Sequence, residues 1–307
     1  MTGGEPISAE VLAVIVAMVD GEPCVLTLPH APRLPAGPLL PGHRSLQTAV
    51  RAWVEEQTGL TVGYLEQLYT FADRGRDGTD NCTISVSYLG LARGLSAKGG
   101  RWRSWYSLLP WEDHRDGATL VADVVAPALR PWAAAGGPAR VERCGVDFGQ
   151  GGRPWQPDLA LQRYEVLWEA GLVPESPDER RRAAGAPGRP AEWWQDPGVP
   201  GVRMDGDHRR VLATGIARLR TKIQYRPVVF ELMPEEFTLG QLQACVEALA
   251  GQEVHTQNFR RVVEQQQLVE ETGGRAATGG RPARLYRFRQ EVLQEHRAAG
   301  TKLPRSR

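Results

Sequence analysis

The sequence predicts an α+β chain in two folded parts: a mixed sheet sandwiched between helices, then a C-terminal winged helix-turn-helix. Three observations carry that expectation. Near the N-terminus, runs of β-branched apolar residues alternate with turn signals around one amphipathic helix. In the last third, three amphipathic helices are followed by two short strands. Charge is divided in the same way: residues 207–307 hold 17 Lys+Arg against 11 Asp+Glu, and the preceding residues hold 20 against 25. A net charge of +1 therefore hides a basic C-terminal third behind an acidic front, the outline expected when one domain faces a polyanion.

At 307 residues the chain suits two domains with room for an insertion. The expected division is a sheet domain over 1–115, an inserted helical and loop region with a linker over 116–206, and the winged helix over 207–307. A composition of 41% hydrophobic and 24% charged residues is that of a soluble globular protein. No window approaches the ~18 uninterrupted apolar residues of a membrane span. The first ten residues carry Glu5 and Glu10 and no basic residue, unlike a secretory signal, so a cytoplasmic location is expected. Cys24, Cys82, Cys144 and Cys245 lie far apart, with no CxxC pair and no His at metal-ligand spacing. Reduced, buried thiols are expected, and no metal site.

Val11 to Val19 is an apolar run rich in branched residues, Asp20-Gly21 a turn, and Cys24 to Leu28 a second strand. Proline and glycine crowd 29–42, which reads as loop. Ser45 is the expected N-cap of a helix that presents Leu46, Val50, Trp53 and Val54 on one face, and Gly59 stops it. Residues 84–91 alternate apolar with small or polar side chains, the pattern of a strand with one buried face. Trp102, Trp105, Trp111, Trp132, Trp155, Trp168, Trp193 and Trp194 are expected to pack the inserted region. A helix over 159–170 ends at Gly171, and the proline- and glycine-rich stretch 180–201 reads as linker.

In the last third, a helix over 208–224 buries Val211, Leu212, Ile216, Leu219 and Ile223. Thr238 and Gln241 form a capping box that opens a second helix, which Gly251 ends. Thr256 is the expected cap of a third helix carrying Phe259, Val262 and Val263. Strands at 268–271 and 284–288 flank a flexible loop, 272–282, that contains glycine and arginine. The third helix opens with His255, Thr256, Gln257, Asn258, Arg260 and Arg261, and in a helix-turn-helix that end points at base edges. Asn and Gln suit adenine and Arg suits guanine, while Arg275, Thr278, Arg281 and Arg284 on the hairpin suit phosphates or the minor groove. The plainer alternatives are a solvated helix face or a protein–protein contact. The expected partner is double-stranded DNA, bound by a homodimer on a palindromic operator, because a single winged helix buries too little surface for genomic specificity.

Leu34 to Gly37, continued by Arg51-Ala-Trp-Val-Glu-Glu-Gln-Thr-Gly-Leu60, resembles the Nudix box in outline. That box places glutamates on one helix face, where they hold divalent metals on a pyrophosphate. Counting back from Gly59, Glu56 falls on one metal glutamate but Gln57 on the next. Ala52 and Trp53 fall where Arg and Glu belong, and Pro41 to Arg44 offers no glutamate. A cage reduced to Glu56, with Glu55 beside it, does not hold several Mg²⁺ ions in octahedral shells. The expectation is a Nudix-like fold without the hydrolase, and therefore not an enzyme.

Tyr64-Leu-Glu-Gln-Leu-Tyr-Thr-Phe71, Asp73, Arg76-Asp77 and Ile84 to Leu89 resemble the Nudix-related transcriptional regulators, the NrtR-like family. Tyr225-Arg-Pro-Val-Val-Phe230, Leu232 to Leu239, Asn258-Phe-Arg-Arg261 and Gly280 to Phe288 resemble it too. The resemblance covers about 8–110 and 205–290. It implies a dimeric repressor of NAD-biosynthesis operons whose Nudix-like domain binds an adenine nucleotide such as ADP-ribose. The stretch 119–202 has no counterpart in the short members. With Trp105 to His114 it is similar to the longer NAD regulators of alphaproteobacteria, for which ATP and NAD are the implied effectors. Ligand candidates are Arg44, Arg51 and Glu56 on the box and Tyr69, Phe71, Asp73 and Arg76 after it: arginine suits phosphate, and an aromatic ring stacks on adenine. The helix over 208–224 is the expected mechanical link between ligand and DNA. The rival reading is a hydrolase of ADP-ribose-type nucleoside diphosphates with an accessory C-terminal domain.

Overall fold

The structure is a computed structural model and describes residues 7–29, 31–73, 83–176, 199–225, 228–277 and 282–290. Strand β1 (Ser8–Val19) turns at Asp20 and Gly21, both at positive φ, and returns as β2 (Glu22–Thr27). Those dihedrals match the right-handed twist of a two-residue hairpin. After β3 (Ala36–Pro38), β4 (Tyr64–Phe71) and β5 (Thr83–Leu91), β6 (Arg101–Ser104) pairs with β2 and closes one edge. The order is β4-β5-β1-β2-β6 with β3 on β1, and β1 runs parallel to β5. The mixed sheet is as expected, but β3 lies inside the stretch read as loop. Gly37 lets it form: a Cβ there would stand 2.3 Å from Cε2 of Trp53.

Both faces of the central strand are covered, which is why β1 reads as an unbroken apolar run. Val11, Ala13, Ile15 and Ala17 pack with Val50 and Val54 of α1 (Leu46–Thr58). Leu12, Val14 and Val16 pack on the other side with Leu212, Ile216 and Leu219 of a later long helix. The strand expected to bury one face, β5, buries both from Val86 onward, and the Ser87 hydroxyl on it donates to the Tyr69 carbonyl at 2.9 Å. Helix α1 begins and ends as its residues dictate. The Ser45 side chain accepts from the Thr48 amide, and Gly59 takes the left-handed conformation.

After β6 come α2 (Trp105–Leu108), α3 (Ala126–Ala135) and α4 (Pro138–Asp147). The helix expected over 159–170 is α5 (Ala160–Glu169), preceded by a 3-10 turn at Pro157–Leu159. Trp105 and Trp111 are fully buried, and Trp132, Trp155 and Trp168 pack against the same core. Trp193, Trp194 and most of the expected linker lie outside the described residues. The core then continues through α6 (His208–Tyr225), α7 (Leu239–Ala250) and α8 (Thr256–Gln265) to the hairpin of β7 (Val269–Ala276) and β8 (Ala283–Phe288).

Two expectations need correction here. Strand β7 runs through Gly273 and Gly274 to Ala276, since pairing with β8 resumes at Arg275 opposite Arg284 after an irregularity. The cap of α8 is His255; Thr256 is the first helical residue, and its hydroxyl accepts from Gln243 Nε2 at 3.1 Å instead. Cys24, Cys144 and Cys245 are free and buried, and burial pushes the Cys245 thiol up to about 12. Cys82 lies outside the described residues. Among the described residues, no helix is long and apolar enough to cross a membrane.

Candidate functional site

On α1, the positions that a Nudix box gives to metal ligands do other work. Gln57 binds both backbone groups of Ala36, donating to its carbonyl at 2.8 Å and accepting from its amide at 3.2 Å. The Trp53 indole donates to the Pro38 carbonyl at 3.0 Å. Together they fasten β3 to the helix. Arg51 donates to the carbonyls of Val62 and, at 3.0 Å, Gly63, so it braces the loop after α1. Glu55 and Glu56 face solvent, and among the described residues no group of three His, Cys, Asp or Glu side chains can hold a metal. These residues do not fit a metal cage.

A cavity of about 250 Å³ opens on the opposite face of the sheet, between the ends of β1, β4 and β5 and the start of α6. Phe71 and Asp73 line it with Glu10, Asp205, Asp207 and His208. Ser85, opposite Phe71 in the register, donates to Glu10 at 2.6 Å. Arg210 donates to Asp73 and to Glu165 of α5, each at 2.5 Å, and its guanidinium lies 4.5 Å from the Phe71 ring centre. His208 accepts the Leu34 amide on Nδ1 at 2.8 Å, so in the neutral ring Nε2 carries the proton. Burial, more than any neighbouring charge, pushes the His208 pKa down to about 4, which keeps that ring neutral at pH 7.

The structure thus brings together only part of the expected ligand set. Phe71 and Asp73 share the cavity, and Tyr69 packs on Phe71 with ring centres 5.0 Å apart while remaining 56% exposed. Arg44, Arg51 and Glu56 belong to the α1 side of the sheet, and Arg44 lines a separate shallow pocket with Leu39 and His43. Arg76 lies outside the described residues. Sequence reasoning missed Glu10, Asp205, His208 and Arg210, which carry no local motif and meet only through the tertiary fold.

Helix α6 connects this cavity to the C-terminal unit. Its first residue, His208, lines the cavity; twelve residues on, Arg220 donates to the Leu249 carbonyl at the end of α7 at 3.0 Å. Tyr106 donates to the Ala248 carbonyl at 2.6 Å, and the His114 amide to that of Gly251 at 2.7 Å. Beneath these bonds lies a buried ion triad. Glu112 accepts from Arg163 at 2.6 and 2.7 Å and from Arg220. Burial would raise the Glu112 pKa, but the two guanidiniums outweigh it and hold the carboxyl below its ordinary value. A second buried pair, Arg209–Glu175 at 2.9 Å, fixes the start of α6.

On α8, Thr256, Gln257, Asn258, Arg260 and Arg261 are all exposed, and Phe259 and Val263 are buried. A 3.6-residue turn puts Arg261 opposite that buried pair, at the centre of the outward face. Arg261 donates to the Asn258 side-chain oxygen at 2.7 Å, and because a guanidinium only donates, the Asn258 NH₂ is the group left for a ligand. On the hairpin, Arg275 is exposed, while Arg284 is paired with Glu271 at 2.6 Å and Arg287 with Glu270 at 2.7 Å. Thr278 and Arg281 lie outside the described residues.

Residues 229–288 match the NrtR DNA-binding winged helix domain. In that region the chain resembles the Nudix-related, NrtR-like regulators. Over 90 residues the chain is 40% identical to the ADPR responsive transcriptional repressor NtrR of Acinetobacter baylyi, a match covering 29% of this chain. It spans only about a third (35%) of that relative's length. The fold is also that of NrtR from Shewanella oneidensis, solved with a 27mer DNA: TM-score 0.55 and 20% identity, covering 93% of this chain and 95% of that one. A MutT/nudix family protein from Enterococcus faecalis gives a TM-score of 0.51 at 15% identity, covering 94% and 89%. The chain therefore combines a Nudix-like fold with a winged helix.

Proposed function

We propose that the chain is a DNA-binding transcriptional repressor whose Nudix-like domain senses an adenine nucleotide and does not hydrolyse it. The observation that carries this reading is α6, one continuous helix with His208 in the cavity and Arg220 bonded to the end of α7. A ligand in the cavity acts on DNA only through its different affinities for two arrangements of the winged helices. ADP-ribose is the first effector to test, because the relative from Acinetobacter baylyi is named ADPR-responsive; ATP and NAD are the competitors. NAD-biosynthesis genes are the targets that the family resemblance implies. The protein acts in the cytoplasm as a homodimer on a palindromic operator. Within it, 1–115 carries the sensor, 116–206 the packing region and 207–307 the DNA-binding unit.

The test is fluorescence anisotropy of the full chain on a duplex selected from a random library, with and without ADP-ribose, NAD or ATP. ADP-ribose should change the apparent Kd; if none of the three nucleotides does, the gating reading fails. The hydrolase rival predicts Mg²⁺-dependent product release that Glu56→Gln abolishes. Gln57 and Trp53, committed to β3, argue against it.

A further inference from the structure

Beside the Phe71 cavity lies a second one, of about 470 Å³, whose character is opposite. Arg103, Arg203, Pro32 and Met204 line it, and Asp205 belongs to the lining of both. The first cavity carries four carboxylates, Glu10, Asp73, Asp205 and Asp207, and repels a diphosphate. The second presents two guanidiniums. From these observations we propose that Arg103 and Arg203 form a diphosphate-binding pocket, which holds the charged middle of the effector while its uncharged parts reach the Phe71 cavity. The identity of the ligand rests on the effector reading above.

The arginines themselves make the case. Most of the other part-buried and buried arginines have carboxylates: Arg115 has Glu22 and Asp113, Arg163 and Arg220 share Glu112, Arg209 has Glu175 and Arg210 has Asp73. Arg51 is held by two carbonyls, and Arg289, like Arg103, keeps a buried Nε without a partner but lies in neither cavity. The side chains of Arg103 and Arg203 have no hydrogen-bond or ion-pair partner among the described residues, and the Nε of Arg103 is buried without one. A buried donor left in that state calls for a ligand, ion or water to complete it. Both arginines stand on fixed backbone. Arg103 lies opposite Val25 in the β2–β6 ladder. On either side of Arg203, the Val202 amide donates to the Ser107 carbonyl at 2.9 Å, and the Met204 and Asp205 amides donate to Glu175 at 3.0 Å and to the Pro32 carbonyl at 2.9 Å. Two donor forks on fixed backbone are preorganised for phosphate oxygens. The same segment runs directly into α6, so an occupied pocket loads the helix that reaches the DNA-binding unit.

The experiment uses the full chain in magnesium-free buffer at constant ionic strength, with inorganic pyrophosphate, ADP-ribose and adenosine followed by thermal shift and calorimetry. Pyrophosphate and ADP-ribose should raise the Tm with dose. Arg203→Gln and Arg103→Gln should each weaken both ligands by about tenfold or more, and leave adenosine unchanged. The Tm without ligand reports whether each variant folds, and Arg203, outside the sheet, keeps the test open if Arg103→Gln does not. If pyrophosphate shifts neither protein, or shifts variants and wild type alike, the pocket is overturned. If the variants lose pyrophosphate but bind ADP-ribose as wild type does, its assignment to the effector is overturned. If pyrophosphate binding depends on both arginines and no adenine nucleotide binds, the pocket stands and the effector reading falls.

Discussion

Arginine is used in two ways in this molecule. At the start of α6 and at the junction behind α7, Arg209 in the first place and Arg163 and Arg220 in the second are buried, and each is held by a carboxylate that is buried too. On α8 and the hairpin, Arg260, Arg261, Arg275 and Arg284 stand in solvent. A buried charge is tolerated only when it is paired and hydrogen-bonded, so the first group fixes one geometry of the winged helix against the sheet domain. An exposed charge adds little to stability and remains open to a polyanion. One side-chain type therefore holds the fold in one place and is left open to solvent in the other, and substitutions should separate a structural role from a binding one.

The largest effect is expected at the centre of the junction. Glu112→Gln leaves Arg163 and Arg220 without a counter-charge and should cost about 3–5 kcal/mol, read by urea denaturation at pH 7. A loss below about 1 kcal/mol would erase the contrast between the two regions. The pH dependence has a fixed sign. Because the folded pKa of Glu112 is lowered, its contribution is complete above the ordinary carboxylate value of 4.5 and fades as pH falls through the lower folded value. Wild type and Glu112→Gln should therefore converge only in strong acid.

On the exposed side, Arg261→Ala and Asn258→Ala should leave the unfolding midpoint within experimental error. Each should weaken specific DNA binding by about 1–3 kcal/mol, measured by anisotropy at several salt concentrations. If Arg261→Ala changes only the salt slope, by about one counterion, the arginine meets phosphate and not a base. A smaller loss of stability, about 1 kcal/mol by thermal unfolding, is expected for Thr238→Ala, which opens the capping box of α7. The smallest effect is expected for Arg284→Ala. Its partner Glu271 is also exposed, so the melting temperature should not move, and a measurable drop would show that the hairpin pair is structural after all.

How legible these regions were in the sequence follows from how local their signals are. Ser45 to Gly59, Asp20-Gly21 and the Thr238–Gln241 box each declare a structure within a few residues, and each forms as expected. Strand β3 gave no such signal, because its pairing uses backbone groups that any side chain permits. The cap of α8 was misassigned because Thr256 has a partner on another helix, Gln243, that outcompetes its own backbone. The cavity and the triad lie furthest from any local reading. Glu112 meets Arg163 across 51 positions and Arg220 across 108, and Glu10 meets Ser85 across 75. Arg51 looked like a phosphate ligand by residue type alone, and nothing nearby in the sequence announced the two carbonyls that hold it.

Gly215 in α6 has a mechanical consequence. A Cβ there would stand 2.9 Å from Val14 on the central strand, so between Leu212 and Ile216, which also pack on the sheet, the helix backbone meets the strand with no side chain of its own in between. Seven residues separate it from His208 and five from Arg220, arms of about 10 Å and 8 Å at ~1.5 Å per residue. A pivot at this contact would carry a shift of the His208 end towards the cavity into an opposite shift of the Arg220 end, and with it of the Leu249 carbonyl to which Arg220 is bonded. Because Gly215 lies near mid-span, such a pivot would pass on a displacement at the cavity almost undiminished.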